Sequence, residues 1–202
     1  MPPALPLPAT PRWLSHGPWA YWFDFAFYGV ACAALATALM AFGGSPWLGL
    51  WVLAGGAVWT GLEYALHRWV LHGMAPFKAW HAAHHRVPTA RVGAPTWLSA
   101  GLFVLGLGAP VALWRGTLPA LAWLLGLTLG YLAYTALHHR LHHPPARPGP
   151  WLARRLRWHR RHHAAGAGGR RQAGHYGVST GLWDAALGTG GRPARLRVSG
   201  RR

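Results

Sequence analysis

The sequence predicts an all-α membrane protein with four transmembrane helices in two hairpins and a histidine-rich helical cap on the cytoplasmic side. Hydrophobic residues make up 52% of the chain and charged residues only 11%, whereas soluble domains carry about 25% charged residues. Four stretches are apolar over the roughly 20 residues that a bilayer crossing takes. Fourteen of the 20 Lys and Arg residues lie at or after Arg140, outside these stretches.

The four predicted spans follow one another in two closely connected pairs. We place them at about Tyr21–Phe42, Trp47–Leu66, Thr96–Trp114 and Leu118–Leu137, and we expect Pro110 to break the third. None of them shows the polar face of a soluble amphipathic helix. Short connections within each pair predict two helical hairpins.

The basic residues predict the orientation. The loop between the first two spans has no Lys or Arg, and the loop between the last two has only Arg115, whereas the central loop contains Lys78, Arg86 and Arg91. Because basic loops stay in the cytoplasm, the central loop and both termini are predicted to be cytoplasmic. Every histidine except His16 lies on or beside that face. We expect the inner membrane of a bacterium.

The rest of the chain adds three expectations. Residues 1–20 are predicted to be a disordered lead without signal-peptide features, residues 21–189 the membrane domain, and residues 190–202 a disordered basic tail. The glycine-rich stretch Ala164–Gly174 is predicted to be a flexible loop. The formal net charge is +17. Since the basic residues flank apolar spans, we assign them to a membrane surface and not to nucleic acid.

Thirteen of the 14 histidines follow the second span. On a helix, positions i, i+3 and i+4 share a face, about 6 Å apart along the axis. His67 and His72 instead lie five residues apart, about 140° around an ideal helix, so we expect them to reach different metals or the helix to end between them. The i, i+3, i+4 rule is followed by His81, His84 and His85, by His159, His162 and His163, and in part by His138 and His142.

This clustering is typical of a metal site. Imidazole suits iron, zinc, copper and nickel, and two metals with four to six ligands each need roughly ten donors. The chain has only three carboxylates, Asp24, Glu63 and Asp184, so it cannot build the glutamate-rich site of soluble di-iron bundles. The predicted ligands are His67, His72, His81, His84, His85, His138, His142, His159, His162 and His163.

At these residues the sequence resembles the fatty acid hydroxylase / sterol desaturase superfamily. The resemblance covers about Leu62 to Thr189 and includes the closing W-D and G-T pattern, at Trp183-Asp184 and Gly188-Thr189. The sequence is most similar to fatty-acid 2-hydroxylase catalytic domains and their short bacterial relatives. The histidine boxes that match, in order, are His67-Arg68…His72, His81…His85, His138…His142 and His159…His163.

The resemblance implies a membrane-bound di-iron oxygenase. Such an enzyme hydroxylates an unactivated C–H bond of a lipid, here a fatty acyl or sphingolipid-type chain, with O2 as co-substrate. Two iron ions are implied as cofactors, and zinc could replace them in isolated protein. No cytochrome b5-like domain is recognisable in the sequence, so we expect electrons from a separate ferredoxin, or from a cytochrome b5-like protein with its reductase.

Five further residues are candidates for an extra ligand or for a group that orients a ligand. Glu63 lies four residues before His67 and can face it on one helix, or it can form an ion pair with Arg68. Asp184 can orient a histidine of the C-terminal part, cap a helix or pair with an arginine. His175 stands where relatives often carry Asn or Gly. The five candidates are His175, Glu63, Asp184, His139 and His143.

Three alternatives stay open at the level of sequence. A β-carotene-type hydroxylase and a sterol or lipid desaturase would share the same four boxes, because the boxes build the metal site and do not select the substrate. A histidine-rich membrane protein that binds metal without catalysis would also show them.

Overall fold

A computed structural model describes residues 18–42, 45–91, 94–167 and 173–190. Within these ranges the protein is helical and contains no strand, which confirms the predicted all-α class. The helices are α1 (Pro18–Phe42), α2 (Trp47–Ala65, continued by a π-helical turn, Leu66–Leu71), α3 (Phe77–Arg86), α4 (Thr96–Arg115), α5 (Thr117–His142), α6 (Pro150–Ala167) and α7 (Leu182–Ala186).

Three of the helices are long and apolar enough to cross a membrane. They are Trp19–Phe42, Thr96–Arg115 and Thr117–His142, and they include three of the four predicted spans. The remaining predicted span, α2, does not belong to this set, since tryptophans, glycines and the charged Glu63 lower its hydropathy.

Pro110 does not break α4, contrary to the sequence prediction. The helix has a π-helical middle, Leu102–Gly108, and resumes as an α-helix at Ala109–Arg115 with Pro110 near its start. A proline at the first turn of a helix loses no hydrogen bond that the helix needs. The wider π-helical turn before it provides that new start, so the helix continues past the proline.

α2 and α5 form the most extensive helix pair, and glycines bring them together. A Cβ atom on Gly126 would lie 2.0 Å from the carbonyl oxygen of Val52, and one on Gly55 would lie 2.3 Å from that of Trp123. Only glycine fits at such a distance, so the two backbones are in direct contact. The aromatic core lies beside this seam and consists of Tyr28, Trp59, Phe103, Leu127 and Tyr131.

Two expected boundaries differ in the structure. α1 begins at Pro18, so residues 18–20 belong to a helix and not to the predicted lead. α6 continues to Ala167, so the first part of the predicted glycine-rich loop is helical. The predictions for residues 1–17, 168–172 and 191–202 lie outside the described residues.

The C-terminal ends of α2 and α5 meet the two polar helices, α3 and α6. α3 contacts both the π-helical turn and α6, and α6 contacts α5. These four elements carry the clustered histidines, so the packing of the helices gathers them at one end of the apolar helices.

Candidate metal centre

The π-helical turn at the end of α2 decides how His67 and His72 are placed. The amide of His72 donates to the carbonyl of His67 at 3.2 Å, a bond between residues five apart. In such a turn the two residues lie one above the other, whereas in an α-helix they would diverge. Both therefore reach the same group of histidines, and the expectation that they reach different metals is wrong. The helix ends at Leu71, between the two histidines, as the other alternative expected.

The polar helices α3 and α6 each contribute histidines to both groups. In α3, His81 and His85 turn to one group and His84 to the other. In α6 the division is reversed, because His159 and His163 join the group of His84, and His162 joins the group of His81 and His85. Each i, i+4 pair thus serves one group, while the i+3 residue faces the other.

All ten predicted ligands fall into two groups of five. Within each group, one possible ligand atom per residue lies within 4.8 Å of all the others. The groups adjoin, since the rings of His85 and His163 are stacked at 4.2 Å. The first group consists of His67, His72, His81, His85 and His162, and the second of His84, His138, His142, His159 and His163.

The contacts within the first group leave space for a cation between the rings. The Nε2 atom of His81 lies 3.0 Å from that of His67, 3.1 Å from that of His72 and 3.0 Å from that of His85. A ring nitrogen carries at most one proton and cannot donate to three neighbours. Nitrogen lone pairs therefore point at one another, and a shared cation is the partner that satisfies them.

The second group also contains buried ring nitrogens that a cation would satisfy. Among the described residues, neither ring nitrogen of His84 or His163 has a hydrogen-bond partner, although both rings are buried. Buried polar atoms without partners are rare unless an ion or water completes the site. The donor set thus fits a metal ion in each group.

Burial keeps these imidazoles neutral. It lowers the pKa of His81, His159 and His162 well below the ordinary value of 6.5, and neighbouring imidazoles lower each pKa further. Burial, followed by the charges of His142 and His163, lowers the pKa of His84 to about 2. Only a neutral imidazole can bind a metal, so the site is ready for one at neutral pH.

Glu63 and Asp184 do not bond to histidines directly. Glu63 accepts hydrogen bonds from the amides of Val178 and Ser179 and from the Ser179 hydroxyl. Asp184 accepts from the amide of Tyr176 at 2.8 Å, among others. The expected contact of Glu63 with His67 is therefore corrected, because both carboxylates bind the main chain of residues 173–190, which we call the closing segment.

The other candidate histidines lie outside the two groups. His139 bonds through Nδ1 to the Tyr21 hydroxyl at 2.9 Å, and its ring centroid is 4.7 Å from that of His143. His175 stacks on Trp158, with ring centroids 5.9 Å apart. None of the three belongs to either group of five.

A mostly apolar cavity of about 310 Å³ borders both groups. His67 and His81 of the first group and His84 and His138 of the second contribute to its wall. An apolar molecule in the cavity would therefore lie against both groups at once. The apolar part of the wall includes Phe25, Trp59, Leu66, Leu98, Leu102 and Phe103.

Sequence reasoning missed the groups that hold two of these histidines in place. His67 donates through Nδ1 to the carbonyl of Tyr176 at 2.6 Å, and His162 donates to that of Gly174 at 2.7 Å. Arg155 is buried and donates to the carbonyl of Gly177 at 2.6 Å. A sequence does not show which main-chain carbonyls will accept hydrogen bonds from histidines. The signal for this segment was the W-D and G-T pattern near its end.

The fold and the site define a class: a helical membrane protein with two adjoining histidine groups that could each hold a metal ion. The sequence matches the fatty acid hydroxylase family over residues 51–189. The chain belongs to this family.

Named relatives also support membership of this family. Dihydroceramide fatty acyl 2-hydroxylase FAH2 of Arabidopsis thaliana is 32% identical over 162 residues, 71% of this chain and 62% of the relative. Fatty acid 2-hydroxylase of Homo sapiens is 30% identical over 184 residues, 82% of this chain and 46% of the relative. This chain thus spans between about half and two thirds of the length of these relatives.

A solved structure shares the fold. Full-length scs7p, of which only the hydroxylase domain is visible, superposes with a TM-score of 0.70 at 24% sequence identity. The match covers 87% of this chain and 68% of that one.

Proposed function

We propose that this chain is a membrane-bound di-iron oxygenase that hydroxylates an unactivated C–H bond of a lipid, using O2 and external electrons. The observation that carries the proposal is the convergence of ten histidines into two adjoining groups beside one apolar cavity. The relatives support a fatty acyl or sphingolipid-type substrate, since they are named as fatty acid and dihydroceramide hydroxylases.

The ten histidines of the two groups are the proposed iron ligands. Zinc would fit the same nitrogen donors, but it has no redox chemistry and would occupy the site only in isolated, inactive protein. Two bound iron ions would supply the activation of O2 and the oxidation of the C–H bond, which side chains alone cannot perform.

The protein's own residues place the substrate. The acyl chain would lie in the cavity against Trp59, Leu98 and Phe103, where burial of apolar surface favours it at about 25 cal/mol per Å². His67 and His84 border the cavity from different groups, so a carbon held between them would lie next to both metals. The apolar wall also excludes water from the oxidation.

We propose that α2 is the missing fourth membrane crossing. Gly55 of α2 abuts the backbone of α5 near Trp123, well inside a helix that is itself long and apolar enough to span a bilayer. A helix packed along a spanning helix at this depth crosses the membrane beside it. α1 with α2, and α4 with α5, then form two hairpins whose histidine-bearing ends share one side.

The basic residues beside that side support a cytoplasmic location for it, with both termini. We propose the inner membrane of a bacterium. α3, α6 and the closing segment form the cytoplasmic cap over the spans, and residues 21–189 form the catalytic domain. Electrons would come from a ferredoxin, or from a cytochrome b5-like protein with its reductase, at this cap.

The test combines metal analysis with lipid analysis. Cells that produce the chain are expected to contain hydroxylated acyl lipids that cells without it lack, with one ¹⁸O atom per product under ¹⁸O2. The purified protein should contain two iron ions per chain.

Neighbouring histidines at the C-terminal end of α5 provide a matched control. His142→Ala removes a ligand of the second group and should abolish the product, whereas His143→Ala removes a histidine outside both groups and should not. Bound iron without any oxidised lipid would favour the non-enzymatic metal-binding alternative. Full activity of both His142→Ala and His84→Ala would refute the proposal.

A further inference from the structure

We propose that the closing segment, residues 173–190, sets the metal affinity of the first histidine group selectively, and that Glu63 and Asp184 are the positioning residues that hold it there. The inference rests on the proposed metal site. It concerns residues that bind no metal themselves.

Two carbonyls of the closing segment fix the tautomers of two ligands in the first group. The carbonyl of Tyr176 accepts from Nδ1 of His67 at 2.6 Å, and that of Gly174 accepts from Nδ1 of His162 at 2.7 Å. With the proton held on Nδ1, Nε2 of each ring must present its lone pair. Nε2 is the atom that each ring turns to its group, 3.0 Å from His81 for His67 and 3.2 Å from His72 for His162. The segment thus orients two of the five rings as ligands.

The second group has no equivalent support in the described part of the chain. His84 and His163 have no hydrogen-bond partner there at either ring nitrogen. The hydrogen bonds between ring nitrogens in this group join its members to one another, as between His142 and His138 at 3.2 Å and between His159 and His142 at 2.8 Å. The two groups therefore differ in how their ligands are oriented, although each contains five histidines.

Asp184 holds the closing segment in its bent shape. One carboxylate oxygen accepts from the amide of Tyr176 at 2.8 Å and from the hydroxyl of Thr189 at 2.7 Å, and the other accepts from the amide of Gly177 at 2.8 Å. The Tyr176 residue therefore has its amide on Asp184 and its carbonyl on His67. A shift of this residue would move both contacts together.

Glu63 fastens the same segment to the helix that carries His67. Its carboxylate accepts from the amides of Val178 and Ser179 and from the Ser179 hydroxyl, one helical turn before His67. Glu63 and Asp184 are both only 3% exposed. A buried carboxylate is expensive unless it is fully hydrogen-bonded, and these two are bonded to the closing segment.

Arg155 completes the attachment on the opposite side. It extends from α6, the helix that carries His162, and donates to the carbonyls of Gly177 and Val178. The segment is thus tied to both helices whose histidines it orients. Loss of a group that orients a histidine ligand typically lowers metal affinity about 10- to 100-fold, and here the loss should fall on the first group.

The test measures metal retained by purified full-length protein against graded chelator, with and without Glu63→Ala. At an intermediate chelator concentration, wild type should retain two metal ions per chain and Glu63→Ala one. The affinity for the lost metal ion should be about 10- to 100-fold lower in Glu63→Ala than in wild type. Glu63→Gln keeps an acceptor for both amides and a polar group for the Ser179 hydroxyl, so it should restore the second metal. Thr128→Val, a buried change in α5 away from the segment, should hold two.

Two ligand variants assign the lost metal to a group. His142→Ala leaves only the first group complete, and adding Glu63→Ala to it should remove the remaining metal. His72→Ala leaves only the second group complete, and adding Glu63→Ala to it should change metal affinity less than twofold. If Glu63→Ala does not insert into membranes, Asp184→Asn, which loses the acceptor for Gly177, makes the same test.

Each outcome decides the proposal. Two metals held equally by wild type and Glu63→Ala would overturn it while leaving the proposed function intact. Equal loss from both groups, or no rescue by Glu63→Gln, would also overturn it and would show a general structural role. If wild type binds no metal at all, the proposed function itself fails, and this inference fails with it.

Discussion

Replacement of Gly126 by alanine tests whether the seam between α2 and α5 sets the geometry of the metal centre. The new Cβ would lie 2.0 Å from the carbonyl oxygen of Val52 and 2.8 Å from the amide nitrogen of Gly56, distances that must grow to at least 3.0 Å. Both obstacles are backbone atoms, so no side chain can turn away. The helices must separate by about 1 Å at this point.

This separation lowers the stability of the protein and displaces the histidines. Overpacking of a tight contact typically costs about 1–3 kcal/mol, which for a chain of this size lowers Tm by about 2–4 °C per kcal/mol. α5 ends in His138 and His142, and α2 leads into His67, so the shift reaches both histidine groups. A misplacement of about 1 Å at a reacting centre can lower the rate about 100-fold.

The assay compares Gly126→Ala with Gly29→Ala in detergent-solubilised protein. A Cβ on Gly29 in α1 would meet nothing within 4 Å, and alanine is the better helix former by about 1 kcal/mol, so its Tm should stay level or rise. Gly126→Ala should melt several degrees lower, bind less metal and lose most lipid hydroxylation. A Tm for Gly126→Ala as high as that of Gly29→Ala would refute the reasoning.

Three further outcomes are expected. Leu98→Trp, which fills part of the cavity of about 310 Å³, should reduce hydroxylation of long acyl chains and leave metal content unchanged, as measured by product analysis and elemental analysis. Removal of metal by chelation should lower Tm, and re-addition should restore it, since the nitrogen lone pairs then face one another without a cation. Burial and neighbouring imidazoles lower the pKa of His84 to about 2 and that of His163 to about 3. Below about pH 6.5 these histidines therefore bind protons in the unfolded chain but not in the folded chain. Thermal unfolding of metal-free protein should show stability falling as pH falls below about 6.5 and little change between pH 7 and 9.

The histidines that converge could be named from the sequence because helical spacing is a local property. The i, i+4 pairs His81 with His85 and His159 with His163 each stay on one side of their helix, as the periodicity requires. Their assignment to two groups could not be predicted. His84 and His85 are adjacent in sequence yet belong to different groups, because the division depends on how α3 crosses α6.

The pair His67 and His72 shows a second limit of local reasoning. An ideal α-helix separates these residues by about 140°, which led to the expectation that they reach different metals or that the helix ends between them. The π-helical turn Leu66–Leu71 brings them together. Such turns are rare and occur often at functional sites. Here the turn lets one helix end supply two histidines to one group.

The chain has three carboxylates in 202 residues, and this scarcity is itself informative. A carboxylate in so apolar a protein is costly unless donors surround it, so its position marks a place where hydrogen-bond donors converge. Two of the three, Glu63 and Asp184, bind the main chain of the same short segment rather than a histidine. That segment presents two carbonyls to the first histidine group. The sequence thus pointed to the right acidic residues, but the carbonyls through which they act on the histidines became visible only in the fold.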